Sequence, residues 1–402
     1  MNDISGKLQA DGRERISRIQ DALKRAELGA VLCTLPSYVL MLSGYWPVIG
    51  TAIAIATADG EVAILAPEDE LPFAEHSWAT RVRTFKCGSL DQITTPALAA
   101  IDPLRSLLHD MNLHCARIGY ELGAASEPST YAGMYLYSHS ILDILRVAAP
   151  SAPLAPIDDM VRRLAAVKTP QEIDRIRTAC QIAESAYAYG RPQIRAGAIE
   201  TGLAALYRAG FSVYGMINEN VKRADGFAWC MSGPNSAEAK AAFACSRHRQ
   251  LQMGDFVLIH TNSYADGYWT DITRTQVLGE PDAKQNQIFA AISDAREAAF
   301  AKIKPGARAA EVDIAAREVL TKRGFGNHFP HSLGHGIGFA SISANARPCI
   351  HPKSDEVLET GMAFNIEPAV YIDGYGGARH CDMVAVTETG MDLLTGFQPI
   401  VT

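Results

Sequence analysis

No stretch of this 402-residue chain approaches the roughly 18 consecutive apolar residues of a membrane-spanning helix, and the mean hydropathy is near zero. A membrane span is therefore not expected. Blocks of lysine and arginine are also absent and the formal net charge is −7, which argues against a nucleic-acid partner. The eight cysteines (Cys33, Cys87, Cys115, Cys180, Cys230, Cys245, Cys349 and Cys381) are scattered, with no CxxC pair. A chain of this size needs no disulfide staples, so reduced thiols and a cytoplasmic setting are expected. The opening Met1-Asn2-Asp3-Ile4-Ser5-Gly6 lacks a charged segment followed by an apolar one, and no signal peptide is read there.

The composition that remains is that of a soluble globular protein, too long for one ordinary core, and the order of its helix and strand signals reads as α/β. Two domains are expected, 1–160 and 161–402. In the first, Arg13 to Leu28 has helical apolar spacing, and Ala30 to Cys33 and Ala116 to Leu122 read as strands. Thr51 to Thr57 and Glu61 to Ala66 flank Asp59-Gly60, a hairpin signal because both residues tolerate positive φ. Ala148 to Ile157, rich in Ala and Pro, reads as a linker. Thr169-Pro170-Gln171-Glu172 then announces a helix through a capping box with Pro at the first helical position. Further helices are expected over Ala283 to Ile303 and Ala310 to Arg323. β segments are expected over Phe227 to Ser232, Asp255 to Leu278, Gly361 to Ile372 and Ala378 to Thr387.

Residues suited to chemistry gather in the second domain. Asp255 to Thr275 reads as a hairpin turning near Ala265-Asp266-Gly267. Across a two- or four-residue loop, paired residues have odd index sums, so His260 and Asp271 face the same way and bring an imidazole close to a carboxylate. Further on, His328, His331 and His335 are interleaved with Gly334, Gly336 and Gly338, which let the backbone pass close to a ligand or another strand. Glu367 ends the apolar run from Met362, where an acid is costly unless paired or metal-bound. Last comes Gly376-Gly377-Ala378-Arg379-His380-Cys381-Asp382.

The order of these segments resembles the family of methionine aminopeptidase, aminopeptidase P, prolidase and creatinase. The matching motifs are Gly267-Tyr268-x-x-Asp271-Ile272-Thr273-Arg274-Thr275, Gly334-His335-Gly336-Ile337-Gly338, Gly361-Met362-x-Phe364-x-Ile366-Glu367-Pro368 and Gly376-Gly377-x-Arg379-x-x-Asp382. The resemblance runs from about Thr169 to Thr402. It implies a pita-bread domain, a curved antiparallel sheet flanked by helices, preceded by a smaller α/β domain like that of the creatinase and prolidase branches, and a homodimer.

In the metallopeptidases of that family Asp, Asp, His, Glu and Glu bind two divalent ions. Carried over by position, the second Asp is Asp271, the His is His335 and the first Glu is Glu367. The first Asp falls on His260, and the last Glu, which bridges both ions, falls on Cys381. Asp382 points to the opposite face of its strand and does not replace that Glu. Two further histidines of the peptidases fall on Ile342 and near 240–243, where this chain has no histidine. His331 and Arg379 match. Asp271 and Glu367, with or without an ionised Cys381, suit one divalent ion better than two, and His and Cys favour Zn or Fe over Mn or Mg.

The leading expectation is a hydrolase of a C–N bond in a small-molecule substrate: an Xaa-Pro dipeptide, an N-acyl amino acid, or a creatine- or ectoine-like compound. One divalent ion is held by Asp271, His335 and Glu367, with His260 and Cys381 as extra ligands. His331 assists with protons, Glu367 acts at the reacting bond and Arg379 holds a substrate carboxylate. Three alternatives stay open. The first is an Xaa-Pro dipeptidase or aminopeptidase P-type metallopeptidase. The second is a metal-free enzyme like creatinase or ectoine hydrolase, with His331 or His335 shuttling protons and Cys381 as an optional nucleophile. The third is a non-catalytic binding module. Trp229, Tyr264 and Trp269 are candidate pocket walls.

Overall fold

The computed structural model describes residues 4–48, 51–86, 94–122, 138–241, 245–340 and 346–397. The chain divides into two compact units, Met1–Ala165 and Ala166–Thr402. No helix among the described residues is long and apolar enough to cross a membrane.

The first unit is built on a six-stranded mixed sheet. Its strands are β1 (Ala30–Cys33), β2 (Ile53–Thr57), β3 (Val62–Pro67), β4 (Arg81–Phe85), β5 (Ile118–Tyr120) and β6 (Leu154–Pro156), in the order β4-β3-β2-β1-β5-β6. Every residue of β1, β2 and β3 is buried, as in a sheet covered on both faces. Its helices are α1 (Ile4–Arg25), α2 (Pro36–Ser43), α3 (Leu71–Ala74), α4 (Pro96–Asp110), α5 (Ser138–Ala148) and α6 (Asp158–Ala166). Leu104, Leu107 and Leu108 of α4 and Ile144 and Leu145 of α5 share one core with Leu32, Ile53, Ile55 and Leu65.

Three expectations for this unit change. The first helix ends at Arg25, and Leu28 follows a left-handed Glu27 (φ 53°). The Asp59-Gly60 hairpin forms, but only Gly60 takes positive φ (96°). Gly60 N–H donates to Thr57 O (3.1 Å), so a type I turn ending on a left-handed glycine replaces the two-residue mirror turn. The Ala/Pro stretch read as a linker contains β6, which pairs in parallel with β5.

The second unit begins with α7 (Pro170–Gly190), capped by the expected Thr169–Glu172 box. It continues with α8 (Glu200–Ile217), a short α9 (Pro234–Ala237), α10 (Ala283–Phe300) and α11 (Ala309–Lys322). Ile288, Ala291, Ile292, Ala295 and Ala299 form the buried stripe of α10. They share a core with Val312, Ala316 and Leu320 of α11 and with Phe256, Leu258, Phe364, Val370 and Val384 of the strands.

The antiparallel sheet expected here is assembled from short sheets. β7 (Ala224–Ser232), β8 (Phe256–Ala265), β9 (Tyr268–Trp269) and β10 (Ile272–Val277) form one, in which β8 is flanked by β7 and β10 and also pairs with β9. β11 (Gly334–His335) pairs with β12 (Cys349–Ile350). β13 (Ala363–Ile366), β16 (Asp382–Val386) and β17 (Met391–Leu393) form a third, in the order β13-β16-β17, and β14 (Ala369–Ile372) pairs with β15 (Gly376–Arg379). Single bridges, Thr273 to Cys381 and Gly336 to Phe364, join them. Two segments expected as continuous strands are therefore interrupted, at Glu367-Pro368 and at His380-Cys381. Pro368 has no N–H to give a ladder, and Cys381 N–H is spent on Thr273 O (3.0 Å).

Candidate active site

The Asp255–Thr275 hairpin turns through a left-handed pair, Asp266 (φ 48°) and Gly267 (φ 85°), which fits the right-handed twist of its strands. Thr273 pairs with His260 and Ile272 with Thr261, the odd-sum register. Asp271, two residues before Thr273, shares the face of His260, and His260 Nδ1 lies 3.6 Å from Asp271 Oδ1.

From the other side comes His335, on β11. Its backbone approaches closely: a Cβ at Gly334 would lie 1.9 Å from the Asn365 carbonyl oxygen, and one at Gly336 1.9 Å from that of Arg347. Only glycine fits there. His335 Nδ1 faces Gly336 O (3.0 Å), which leaves Nε2 turned inward, 3.5 Å from Asp271 Oδ2.

Glu367 and Cys381 enter at the two strand interruptions. Asp271, Glu367 and Cys381 each offer a ligand atom, and the three atoms lie within 4.8 Å of one another. All three residues are buried. Cys381 Sγ–H donates to Asp271 O (3.1 Å) and receives Asn365 Nδ2–H at 3.5 Å. Arg379 donates from Nε to Thr273 Oγ1 (3.0 Å), and its Nη1 lies 3.5 Å from Tyr371 OH and 3.7 Å from Glu367 Oε2. Tyr371 OH meets His331 Nε2 at 3.2 Å. The structure thus groups His260, Asp271, His335, Glu367, Arg379 and Cys381, and reaches His331 through Tyr371.

Three residues of this network escaped the sequence: Thr273, Asn365 and Tyr371. Each had a signal. Thr273 and Asn365 lie two residues from Asp271 and Glu367, and Asn365 is a lone amide within an apolar run. Of the proposed walls, Trp229 stacks on His260 (5.2 Å between centroids, 19° between planes). Trp269 instead is fully buried and packs against Tyr264, so it is core. Lys240, near the position of a peptidase histidine, pairs with Asp373. Ile342, Ala242 and Phe243 lie outside the described residues.

The charges are strongly coupled. Burial would raise the Asp271 pKa, but His260, His335 and Arg379 pull it well below the usual carboxylate range. Burial raises Glu367 to about 7 against the pull of Arg379. Burial would lower His335, yet its contact with Asp271 brings it up to about 9. Burial, aided by Arg379, takes His260 and His331 down to about 4, so both are neutral near pH 7. Burial, with Asp271 and Glu367 nearby, pushes the Cys381 thiol up. Two carboxylates and a thiol meet at one buried point, with the imidazoles of His260 and His335 beside Asp271, a donor set that fits a divalent cation of zinc or iron type.

A pita-bread fold carrying this constellation defines a hydrolase of the metallopeptidase class. The chain belongs to metallopeptidase family M24, whose family model matches residues 174–388, more than half of the chain. It is similar to an Xaa-Pro dipeptidase of Pyrococcus furiosus, 29% identical over 385 residues that make up 95% of this chain and 98% of that one. A probable dipeptidase PepE of Mycobacterium tuberculosis is 37% identical over 233 residues, 58% of this chain and 59% of that one. Among solved structures, the prolidase from Pyrococcus horikoshii superimposes with a TM-score of 0.76 at 26% identity, covering 97% of this chain and all of that one.

Proposed function

We propose that this hydrolase cleaves the peptide bond of a short peptide, with Xaa-Pro dipeptides as the first substrate class, at a site built for one divalent ion. The observation that carries this is the convergence of Asp271, Glu367 and Cys381 within 4.8 Å. Relatives along nearly the whole chain bear the name Xaa-Pro dipeptidase, which supports the dipeptide among the expected substrates over an N-acyl amino acid or a creatine- or ectoine-like compound. The charges agree with one ion: Asp271, Glu367 and an ionised Cys381 carry −3, which a divalent cation and Arg379 balance with +3. A second ion would leave an excess of +2 in a buried site.

Asp271, His335, Glu367 and Cys381 would hold the ion, with His260 beside Asp271. When bound, a divalent ion supplies Lewis-acid polarisation and acidifies a coordinated water. Arg379 offers its guanidinium to a substrate carboxylate. His331, neutral near pH 7, takes up or returns a proton, steadied by Tyr371. The cytoplasmic, homodimeric setting is carried forward with this proposal; all seven cysteines among the described residues are free thiols.

One observation favours a second reading. Asp271 already lies between two imidazoles with Arg379 nearby, so its charge is compensated without an ion, as a metal-free His/Glu mechanism requires. Elemental mass spectrometry of protein purified without chelators or a His tag, paired with Xaa-Pro dipeptide hydrolysis, separates the two. About one ion per chain with dipeptide turnover supports the first. Turnover in protein free of metal supports the second. Metal without dipeptide turnover removes the proposed substrate.

A further inference from the structure

Hydrolytic chemistry alone gives no reason for a buried amide in the middle of β13. Asn365 is fully buried between Phe364 and Ile366, where an apolar side chain would avoid the cost of desolvating an amide. Its Oδ1 accepts the backbone N–H of His335 (2.7 Å), while Nδ2 lies 3.2 Å from His335 Nε2 and 3.5 Å from Cys381 Sγ. The backbone N–H can only donate, so it fixes which end of the amide is oxygen, and the NH2 end must face the imidazole and the sulfur. That end has two hydrogens, one for each partner. An N–H aimed at sulfur stabilises negative charge there. Once His335 has given up its Nε2 proton, an N–H at Nε2, with Nδ1 engaged by Gly336 O, holds the ring with Nε2 turned into the site until a cation takes its lone pair.

We propose that Asn365 is a positioning residue that sets His335 and Cys381 together as a nitrogen–sulfur ligand pair, and so biases the site toward a soft divalent ion. The proposal rests on the metal-dependent reading given above. One side chain touches both ligands and reads the backbone of one of them. A shift of β11 against β13 would therefore be felt at both ligand atoms at once.

Co(II) is the probe. The wild-type protein loaded with Co(II) should show a sulfur-to-cobalt charge-transfer band that Cys381→Ser abolishes. Asn365→Leu, similar in shape but without donors, should retain its circular dichroism, bind Co(II) about 10–100-fold more weakly and shift or lose most of that band. Asn365→Thr, which restores one donor, should recover part of both. If Asn365→Leu does not fold, Asn365→Asp carries the same test, because it keeps an oxygen toward His335 N–H and removes the NH2. An unchanged band and affinity in the folded variant overturn the positioning role while the metal-dependent reading stands. Failure of the wild type to take up Co(II) overturns that reading, and the ligand pair with it.

Discussion

Cys381 and Asp382 are neighbours in the chain, yet they serve opposite sides of the point where β16 begins. On the Asp382 side the acceptors are saturated. Oδ1 receives Arg274 Nη2 (2.6 Å) and Thr395 Oγ1 (2.7 Å), Oδ2 receives Arg296 Nε (2.5 Å), and His380 Nε2 stands 3.0 Å away. On the Cys381 side, Asp271 and Glu367 meet His260, His335 and Arg379 only at 3.5 to 3.7 Å. Both sides are buried. A filled carboxylate fastens strands together, and one with lone pairs to spare is placed to receive a ligand. Arg274 also donates to the carbonyls of Cys381 and Thr273 (2.6 and 2.9 Å), so the saturated side holds the backbone on which the open side is mounted.

The largest effect that can test this contrast is the removal of Asp382. Asp382→Ala strands the buried Arg274 guanidinium and takes a partner from the half-buried Arg296, and should cost about 3–5 kcal/mol, read by urea unfolding. Glu367→Gln should do the reverse: kcat/KM for an Xaa-Pro dipeptide falls about 10²–10³-fold while stability stays within about 1 kcal/mol. If the two variants lost similar stability, the contrast would collapse.

pH sharpens the difference. A cation must displace the thiol proton of Cys381, pushed up by burial, the proton of His335 (about 9) and, below about 7, that of Glu367. Metal affinity should therefore rise with pH, about tenfold per unit for each proton displaced, as calorimetry in buffers of different ionisation enthalpy would show. In the metal-free protein Glu367 and His335 have folded pKa values above their unfolded ones. Glu367 thus favours the folded state below about 4.5 and loses that contribution as pH rises toward 7; His335 loses its own between about 6.5 and 9. Thermal unfolding of His335→Asn should lack the upper limb. The smallest change is Thr395→Val, which removes one bond to Asp382 and should cost about 1 kcal/mol with metal affinity unaltered.

The sequence was most legible where a local rule operates. The Thr169 capping box and the hairpin parity that placed His260 beside Asp271 depend on neighbours in the chain. Other elements lacked such a rule. α8 exposes Val213, Met216 and Ile217 at its end, which blurs the apolar stripe that marks a helix. The helix expected from Ala283 does form, and the box of Asp282 with Gln285 caps it. The interruptions at Glu367 and Cys381 are set by contacts between distant segments, as is the role of Asn365, and no window of neighbouring residues contains them.

Because Glu367 and Cys381 stand where the ladders break, held by single backbone contacts to Leu333 and Thr273, their side chains can be exchanged without altering a long row of paired side chains. Asp271, just ahead of β10, shares this freedom. The scaffold therefore tolerates turnover at the positions that set its chemistry. A lineage can trade carboxylate for thiol there, and with it hardness for softness, in single steps that leave the architecture intact.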